Sequence, residues 1–578
     1  MSSKVKLNFK RRINDFSSPE EVVNDIARER FSMDEYLSNP SSLLSPFLFK
    51  DMQVAVEKIS SAIKENKNIC VWGDYDVDGT TSVYTTYNLL LKITKLLNSS
   101  SKIGYYIPHR EKEGYGVNNN GLKKLRDDMY DLIISVDCGI SCYSQVAYAK
   151  EIGLDFVVTD HHEYPSLVPD CPIINPHDGF YPFHNLSGCG TAFKLMEGLY
   201  KYNNLSVDNV YKYLDITAIS TIADLMDLNG ENRIIVKYGL YLLQNNIDKN
   251  ERPWLNKLLE KAKFSGPIDS YTVGFVIAPR INSVGRLSHS MDSLRFMLTE
   301  DNAELDRMAS SINSLNEERK EMQDSIVKIG DELIQNDESG LQNSINIAVD
   351  GRVGVVGLAA SNLLEKYYRP TTVFSTLVSP DIYKASARSI DGFNYFEEVI
   401  EPNRDIIVGG GGHALAAGLA IKKENLSEFI KRVNIAVEKC LKNDPDLLVK
   451  KINIDCVLEP ESIDLAFAKK VDLLAPFGQG NPAPIFFMEN MSIKSVKGVP
   501  ATDPKHVQIT LVKNDAVFKG IIFKRADLIE ELISLGTIDV AFNVSINKFL
   551  GKTELNLIIT YFRAVSYTHL TLPTNREV

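Results

Sequence analysis

Three short apolar runs in the first third of the chain each end on acidic or imidazole residues. They are 69–72 before Gly-Asp-Tyr-Asp-Val-Asp-Gly, 132–136 before Asp137, and 156–159 before Asp160-His161-His162. Helical patterns separate them, as at 80–97 and 143–152. Strands alternating with helices predict a parallel sheet with right-handed crossovers. Ligands of such sheets sit at the carboxyl ends of the strands, and all three polar clusters fall there. An amphipathic helix is expected over 46–65, following a mixed polar start.

Further along, 205–260 reads as mostly helical. From 301 to 335 charged and apolar positions interleave at helical spacing, with Gly330 the only glycine and no proline. That pattern predicts a long helix joining two lobes. A second α/β region begins near Ile345 and runs to about Cys440, and KNDPDLL at 442–448 reads as a linker. After 451 come short alternating strands, VQITLV, AVFKGIIF, TIDVAFNVSI and ELNLIITYF. About five such strands suit a small β-barrel of the oligonucleotide-binding type. The expected organisation is therefore an N-terminal segment 1–48, a catalytic α/β domain 49–298, a connecting helix 299–338, a second α/β domain 339–445 and a barrel 450–565. The last stretch, 566–578, continues no preceding pattern and reads as a non-native tail.

Composition narrows the class. With 578 residues, 44% hydrophobic and 24% charged, collagen-like, coiled-coil and fully disordered readings are out. No apolar run approaches the roughly 18–20 residues of a membrane span, and no apolar segment follows the charged start, so a secretory signal is not expected. Seven cysteines, an odd number in a long chain, make no disulfide framework. A cytoplasmic protein is expected. The net charge of −11 requires any phosphate-binding surface to be a local basic channel; taken alone it favours a small-molecule enzyme.

Alternating aspartates in Asp74-Tyr-Asp76-Val-Asp78 point to one side of an extended chain. Unpaired, they would repel and raise one another's pKa, and divalent cations remove that penalty. A solvated acidic loop or a helix N-cap is the plain alternative. A calcium loop is not supported, since position twelve from Asp74 is Thr85 rather than Glu. Asp137 ends a strand and could equally be an N-cap. Asp160-His161-His162 offers two imidazoles and a carboxylate at the same edge. Asp224 closes a helical run, where its charge opposes the helix dipole and a metal would offset the cost. Together these hard oxygens and imidazoles suit Mn²⁺ or Mg²⁺, two ions rather than zinc. Such a pair serves phosphoester hydrolysis. The cysteines at 138, 142, 171 and 189 match no zinc knuckle.

GDYDVDG, VDCG, TDHH and the Ala-Asp at 223–224 resemble the four motifs of the DHH phosphoesterase superfamily. SPFLFKDMQVAVEKI, YYIPHREKEGYGV and PRINSVGRL resemble its RecJ family of single-strand-specific 5′→3′ DNA exonucleases. GVVGLAAS, KASARS and GGGGHALAAGL resemble the associated DHHA1 domain, and LLAPFGQGNPAPIF with the strands after it resembles the family's oligonucleotide-binding module. The resemblance spans roughly 45–563. It implies a two-lobed DHH and DHHA1 core with parallel-sheet lobes joined by a long helix, plus a C-terminal OB-type barrel. It implies that Asp76 holds one metal, Asp78 the other, and that Asp137 bridges them, with His161 and Asp224 completing the second site. His162 would contact the scissile phosphate, and Asp74 and Asp160 would fix the ligands around it. Arg110, Ser386 and Arg388 match a 5′-phosphate pocket. Arg280, Asn282 and Arg286 would line the DNA path. Gly411, Gly412 and His413, read as backbone donors near a helix start, would meet phosphate. Single-stranded DNA is the implied partner, handled by a monomer alongside a single-strand-binding protein and a RecQ-type helicase.

Two departures stand out. Trp72 occupies a position where the superfamily often has His, and the HPGVxGxxASR pattern has Arg352 for His and Asn362 for Arg. Trp72 leaves the first metal site less imidazole-rich, whereas Arg352 and Asn362 put substrate grip and processivity in question rather than metal chemistry. Two other functions fit parts of the pattern: hydrolysis of short oligonucleotides, bisphosphate nucleotides or cyclic dinucleotides, which the extra barrel argues against, and a non-catalytic single-strand-binding replication factor, which the intact aspartates argue against.

Overall fold

The computed structural model describes residues 5–32, 39–109, 113–336, 341–549 and 552–565. The runs Ile69–Gly73 and Leu132–Val136 are buried along their whole length, as strands covered on both faces are. They form the centre of a five-stranded parallel sheet in the order Ile103–Tyr106, Ile69–Gly73, Leu132–Val136, Asp155–Thr159, Ile173–Ile174. The register aligns Gly73 with Val136 and Val136 with Thr159. The next residue of each strand, Asp74, Asp137 and Asp160, therefore leaves the sheet from one edge.

Helices Val77–Leu96, Gly188–Tyr202 and Leu214–Ala223 pack together in the same core. The helix expected at 46–65 is a short turn, Pro46–Leu48, followed by helix Met52–Lys64. The connecting helix runs as Asn302–Gln335, with Asp301 capping it through Glu304 N.

The second lobe carries a five-stranded sheet in the order Ile407–Gly412, Ala416–Lys422, Ile382–Arg388, Thr371–Ser375, Ile345–Val349. Its parallel pair, Ile345–Val349 with Thr371–Ser375, is joined by helix Val353–Tyr367. The other three pairings are antiparallel; in two of them the connections, 376–381 and 413–415, are too short for a crossover. This also corrects the expectation for the glycine run. Gly409 to Gly412 belong to a strand, and His413 N donates to Ala416 O in the turn of a hairpin; no helix starts there.

Among the described residues, a second compact unit comprises 5–32, 451–477, 481–549 and 552–565. Its strands follow the order Cys456–Val457, Phe486–Val499, His506–Lys513, Ala516–Ile522, Lys552–Ala564, Thr537–Phe549, and the pairing of Phe486–Val499 with Thr537–Phe549 closes the barrel. The N-terminal segment does not stand alone. Strand Val5–Phe9 pairs with Lys450–Ile454, and helix Pro19–Arg30 buries Val22, Val23 and Ile26 in the barrel core. Residues 566–578 lie outside the described residues.

Helix Leu214–Ala223, which presents Asp224, is pinned from below by a buried ion pair. Asp215 accepts from Arg252 Nε at 2.8 Å, from Arg252 Nη2 at 3.1 Å and from Asn246 Nδ2 at 2.7 Å, and the guanidinium lies 4.9 Å from the Tyr213 ring. Asp215→Ala should cost about 3–5 kcal/mol in denaturant unfolding, because it strands a buried cation. Replacing both partners, as Asp215→Leu with Arg252→Met, should recover most of that loss; equal loss in the single and double variants would contradict this account.

Candidate metal centre and substrate pocket

Each acidic side chain at the sheet edge is held by backbone. Asp76 caps helix Val77–Leu96, accepting from Gly79 N at 3.0 Å. Asp78, one residue inside that helix, is buried and turned towards the start of helix Gly188–Tyr202. It accepts from Gly188 N at 2.7 Å, Cys189 N at 2.8 Å and Ser220 Oγ at 2.5 Å. A helix N-terminus has free N–H groups and a positive dipole end, so it suits a carboxylate. Asp137 sits in the left-handed region, φ 58°, which Asp tolerates better than most residues. Gly188 lies so close that a Cβ there would come within 2.5 Å of the Asp137 carboxylate. Asp160 fixes the imidazole pair: its carboxylate accepts from Ile140 N, His161 N, His162 N and, at 2.7 Å, His162 Nδ1.

The result is one cluster. His161 Nε2 lies 3.2 Å from Asp137, 3.6 Å from Asp224 and 3.7 Å from Asp78. Three overlapping groups have ligand atoms within 4.8 Å of one another: Asp74, Asp76 and Asp137; Asp78, His161 and Asp224; Asp137, His161 and His162. Asp74, expected to support the ligands, thus stands with Asp76 and Asp137 at the first of them. Trp72 contributes nothing here; its ring packs on Tyr106 in the core, in space left by Gly121.

Charge crowding shows in the protonation equilibria. Burial, then the charge of Asp78, raises Asp76 above the usual carboxylate range. Burial and the neighbouring aspartates raise Asp137 and Asp224 well above it. Burial lowers His161, which keeps the imidazole neutral and its lone pair available. Burial opposes charge on His162 as well, but the Asp160 hydrogen bond and charge outweigh it and push His162 up to about 9. Asp160 is held low despite burial by its bond from His162. Hard carboxylates around a neutral imidazole form a donor set that fits two Mn²⁺ or Mg²⁺ ions, whose positive charge would relieve the repulsion.

The cluster opens into a cavity of about 320 Å³ that the second lobe closes. Asn282, Arg286, Ser386 and Arg388 line it with Asp74, Asp76, Asp137, His161, His162 and Asp224. Asn282 also takes Val77 N through Oδ1 at 3.1 Å, tying its helix to the acidic loop. Arg388 is half-buried, donates to Ala387 O and has no carboxylate partner among the described residues. Burial lowers its pKa. Arg280 is turned away, bonding Asn313 and Val276 O. Gly411, Gly412 and His413 do not line the cavity, and Arg110 lies outside the described residues. Arg352 reaches back to Leu287 O at 3.4 Å while Arg286 donates to Gly354 O at 2.6 Å, so the substituted arginine bridges the lobes.

Sequence reasoning missed Tyr115 and Gly357. Tyr115 lines the cavity with its hydroxyl 3.4 Å from His162 Nε2. A Cβ at Gly357 would press on Arg388 and Ser386 at 3.2–3.3 Å, so the glycine leaves them room. Both stand inside segments singled out above, YYIPHREKEGYGV and GVVGLAAS, but nothing in their spacing marks them.

Raised carboxylates have a thermodynamic consequence. Above the usual 3.8 the unfolded chain releases protons that the folded cluster retains, so metal-free stability should fall as pH rises from there. Thermal unfolding should show that slope, Mn²⁺ should raise the midpoint at neutral pH, and Asp137→Asn should flatten the slope while abolishing the Mn²⁺ response. Gly188→Ala should lose the Mn²⁺ response too, whereas Gly190→Ala, where a Cβ meets nothing nearer than 3.4 Å, should keep it. A full response in Gly188→Ala would mean that the Asp137 approach is not needed.

Three family models match the chain: the DHH family N-terminal domain over 68–221, the DHHA1 domain over 344–439 and the RecJ OB domain over 454–561. A Bacillus subtilis protein named single-stranded-DNA-specific exonuclease RecJ is 34% identical over 521 residues, 89% of this chain and 63% of that protein. The chain thus spans under two thirds of that relative. The Escherichia coli protein of the same name is 28% identical over 88% of this chain and 89% of its own. Among solved structures, Thermus thermophilus RecJ in complex with Mn²⁺ has the same fold, with a TM-score of 0.77 at 24% identity over 97% of this chain and 80% of that one. A manganese-bound exonuclease RecJ aligns with a TM-score of 0.58 at 29% identity, over 70% of this chain and all of the other. With both lobes and the barrel matched in order, and the acidic–imidazole cluster in the first lobe facing Ser386 and Arg388 in the second, the chain belongs to the RecJ family of DHH/DHHA1 phosphoesterases.

Proposed function

We propose that this chain is a metal-dependent exonuclease that degrades single-stranded DNA from the 5′ end, hydrolysing phosphodiester bonds to 5′-mononucleotides during repair and recombination. The observation that carries it is the opposition, across one cavity, of a carboxylate–imidazole cluster and a guanidinium with no carboxylate partner among the described residues. Guanidinium forks match phosphate, so Arg388 and Ser386 hold the terminal 5′-phosphate while the first phosphodiester lies at the cluster.

Asp76 and Asp137, with Asp74 beside them, would hold one ion, and Asp78, His161 and Asp224, again with Asp137, would hold the other. Two divalent ions at such a centre supply a lowered pKa for an attacking water and neutralisation of the phosphoryl oxygens. His162, cationic at neutral pH, faces the same space and donates to a phosphate oxygen as negative charge builds there. Asp160 keeps it charged and oriented, and Tyr115 limits its motion from the other side. Asn282 holds the acidic loop in register. This reading makes the protein a cytoplasmic monomer, consistent with seven free thiols, working on strands that a RecQ-type helicase and a single-strand-binding protein supply.

Digestion of single- and double-stranded DNA of equal length, labelled at either end, tests it with Mn²⁺ present and Asp137→Ala as control. Expected is release of 5′-terminal mononucleotides from single strands alone, absent in the variant. Cleavage confined to dinucleotides or bisphosphates would replace it with the small-substrate reading; strand binding without cleavage would favour the non-catalytic one. Arg388→Ala should raise KM about 10- to 100-fold for 5′-phosphorylated strands, the worth of a hydrogen-bonded charge, and much less for 5′-hydroxyl strands.

A further inference from the structure

Residues 270–287 run helically through a π-helical turn at Val273–Ile277. One side of that segment is anchored, with Val273, Ile277, Ile281 and Val284 buried. The other presents two aromatic rings to water. Tyr271 and Phe275 are each 64% exposed, and their rings stack at 4.6 Å with planes 26° apart. Neither ring has a further aromatic partner among the described residues. Lone exposed apolar residues need no explanation, but a stacked pair of large rings in water is unusual. A π-turn is frequent at functional sites.

The position of the pair gives it an occupant. Gly274, between Tyr271 and Phe275 in the sequence, is near Ile222, two residues before Asp224: a Cβ built on it would come 3.8 Å from the Ile222 side chain. Downstream on the same helical segment, Asn282 holds the acidic loop and Arg286 lines the cavity. Seven residues separate Phe275 from Asn282, about 10 Å along a helix axis. A strand whose first phosphodiester is at the cluster would pass its next nucleotides over this segment. Bases freed from a duplex expose planar faces, and aromatic side chains take them regardless of sequence because every base has a π-face. A two-ring stack is extended by a third flat ring without rearrangement.

We infer that Tyr271 and Phe275 form a stacking platform for the unpaired bases that follow the scissile nucleotide, so that recognition of single strands includes base contact as well as phosphate grip. The inference rests on the strand-degrading reading above. The platform tolerates any base and excludes paired ones, whose faces are covered by their neighbours.

The test is an abasic scan. The full chain, metal-free in chelator and at fixed salt, is titrated by fluorescence anisotropy with a 5′-phosphorylated twelve-nucleotide strand. Abasic sites are placed one at a time at nucleotides two to six. In the native chain, one or two positions should lower affinity about 10- to 100-fold. In Tyr271→Ala with Phe275→Ala the same abasic sites should cost nothing further, and Tyr271→Phe with Phe275→Tyr should restore the penalty. An abasic penalty of equal size in the native and alanine chains overturns the platform while leaving the exonuclease reading intact. Failure of the native chain to bind any strand, both in chelator and with Mn²⁺ on a phosphorothioate strand that resists cleavage, overturns both.

Discussion

Six aspartates converge on one edge of a parallel sheet, and for three of them the sheet gives no alternative. With Gly73, Val136 and Thr159 aligned across three strands, the residues that follow emerge side by side, and Asp76, Asp78 and Asp224 are brought to the same place by the helices packed on that sheet. Burial, and then the repulsion between the carboxylates, raises Asp76, Asp137 and Asp224 above their usual range. What holds them is a set of fixed dipoles: the first N–H groups of helix Gly188–Tyr202 on Asp78, Gly79 N on Asp76 and four donors on Asp160. Cation affinity follows from this arrangement, since the folded chain concentrates negative charge where it cannot disperse.

The two lobes contribute different groups to the cavity, with Arg286 and Asn282 of the first lobe standing at their boundary. The first contributes carboxylates and imidazoles, and the second contributes a hydroxyl and a guanidinium, with a glycine where bulk would displace them. Arg286 donates to Gly354 O and Arg352 reaches Leu287 O, so the same boundary that forms the cavity is tied by side chain–backbone bonds in both directions. Arg352, which stands where the motif has histidine, thus meets the backbone of the first lobe in this chain. A total charge of −11 is compatible with phosphate binding on these terms, because only the few cations that face the cavity matter.

The barrel unit illustrates how sequence distance and spatial distance part. Residues 5–32 look like a separate leading segment, yet Val22, Val23, Ile26 and Phe31 join a core whose other buried residues come from 456–559. A twelve-residue helix with one apolar face, Pro19–Arg30, must bury that face somewhere, and nothing local specifies where.

What the sequence determined by itself is everything that depends on local order. Strand–helix alternation, the acidic and imidazole residues at strand ends, the long helix between the lobes and the barrel's alternating strands are set by periodicities of a few residues. Asp137 and His161 could be singled out for the same reason: a residue after a strand has one place to go. What only the tertiary structure decided depends on packing between distant segments. Arg280 and Arg286 sit on one helix, yet one turns to Asn313 and the other into the cavity. The run Gly409 to Gly412 is equally compatible with a helix start and a hairpin until Ala416–Lys422 pairs with it. Asp74, Tyr115 and Gly357 acquire their positions from neighbours remote in the chain. Local physics fixes which way a side chain can leave its own element; the surface opposite it, which decides what it meets, is chosen by the fold as a whole.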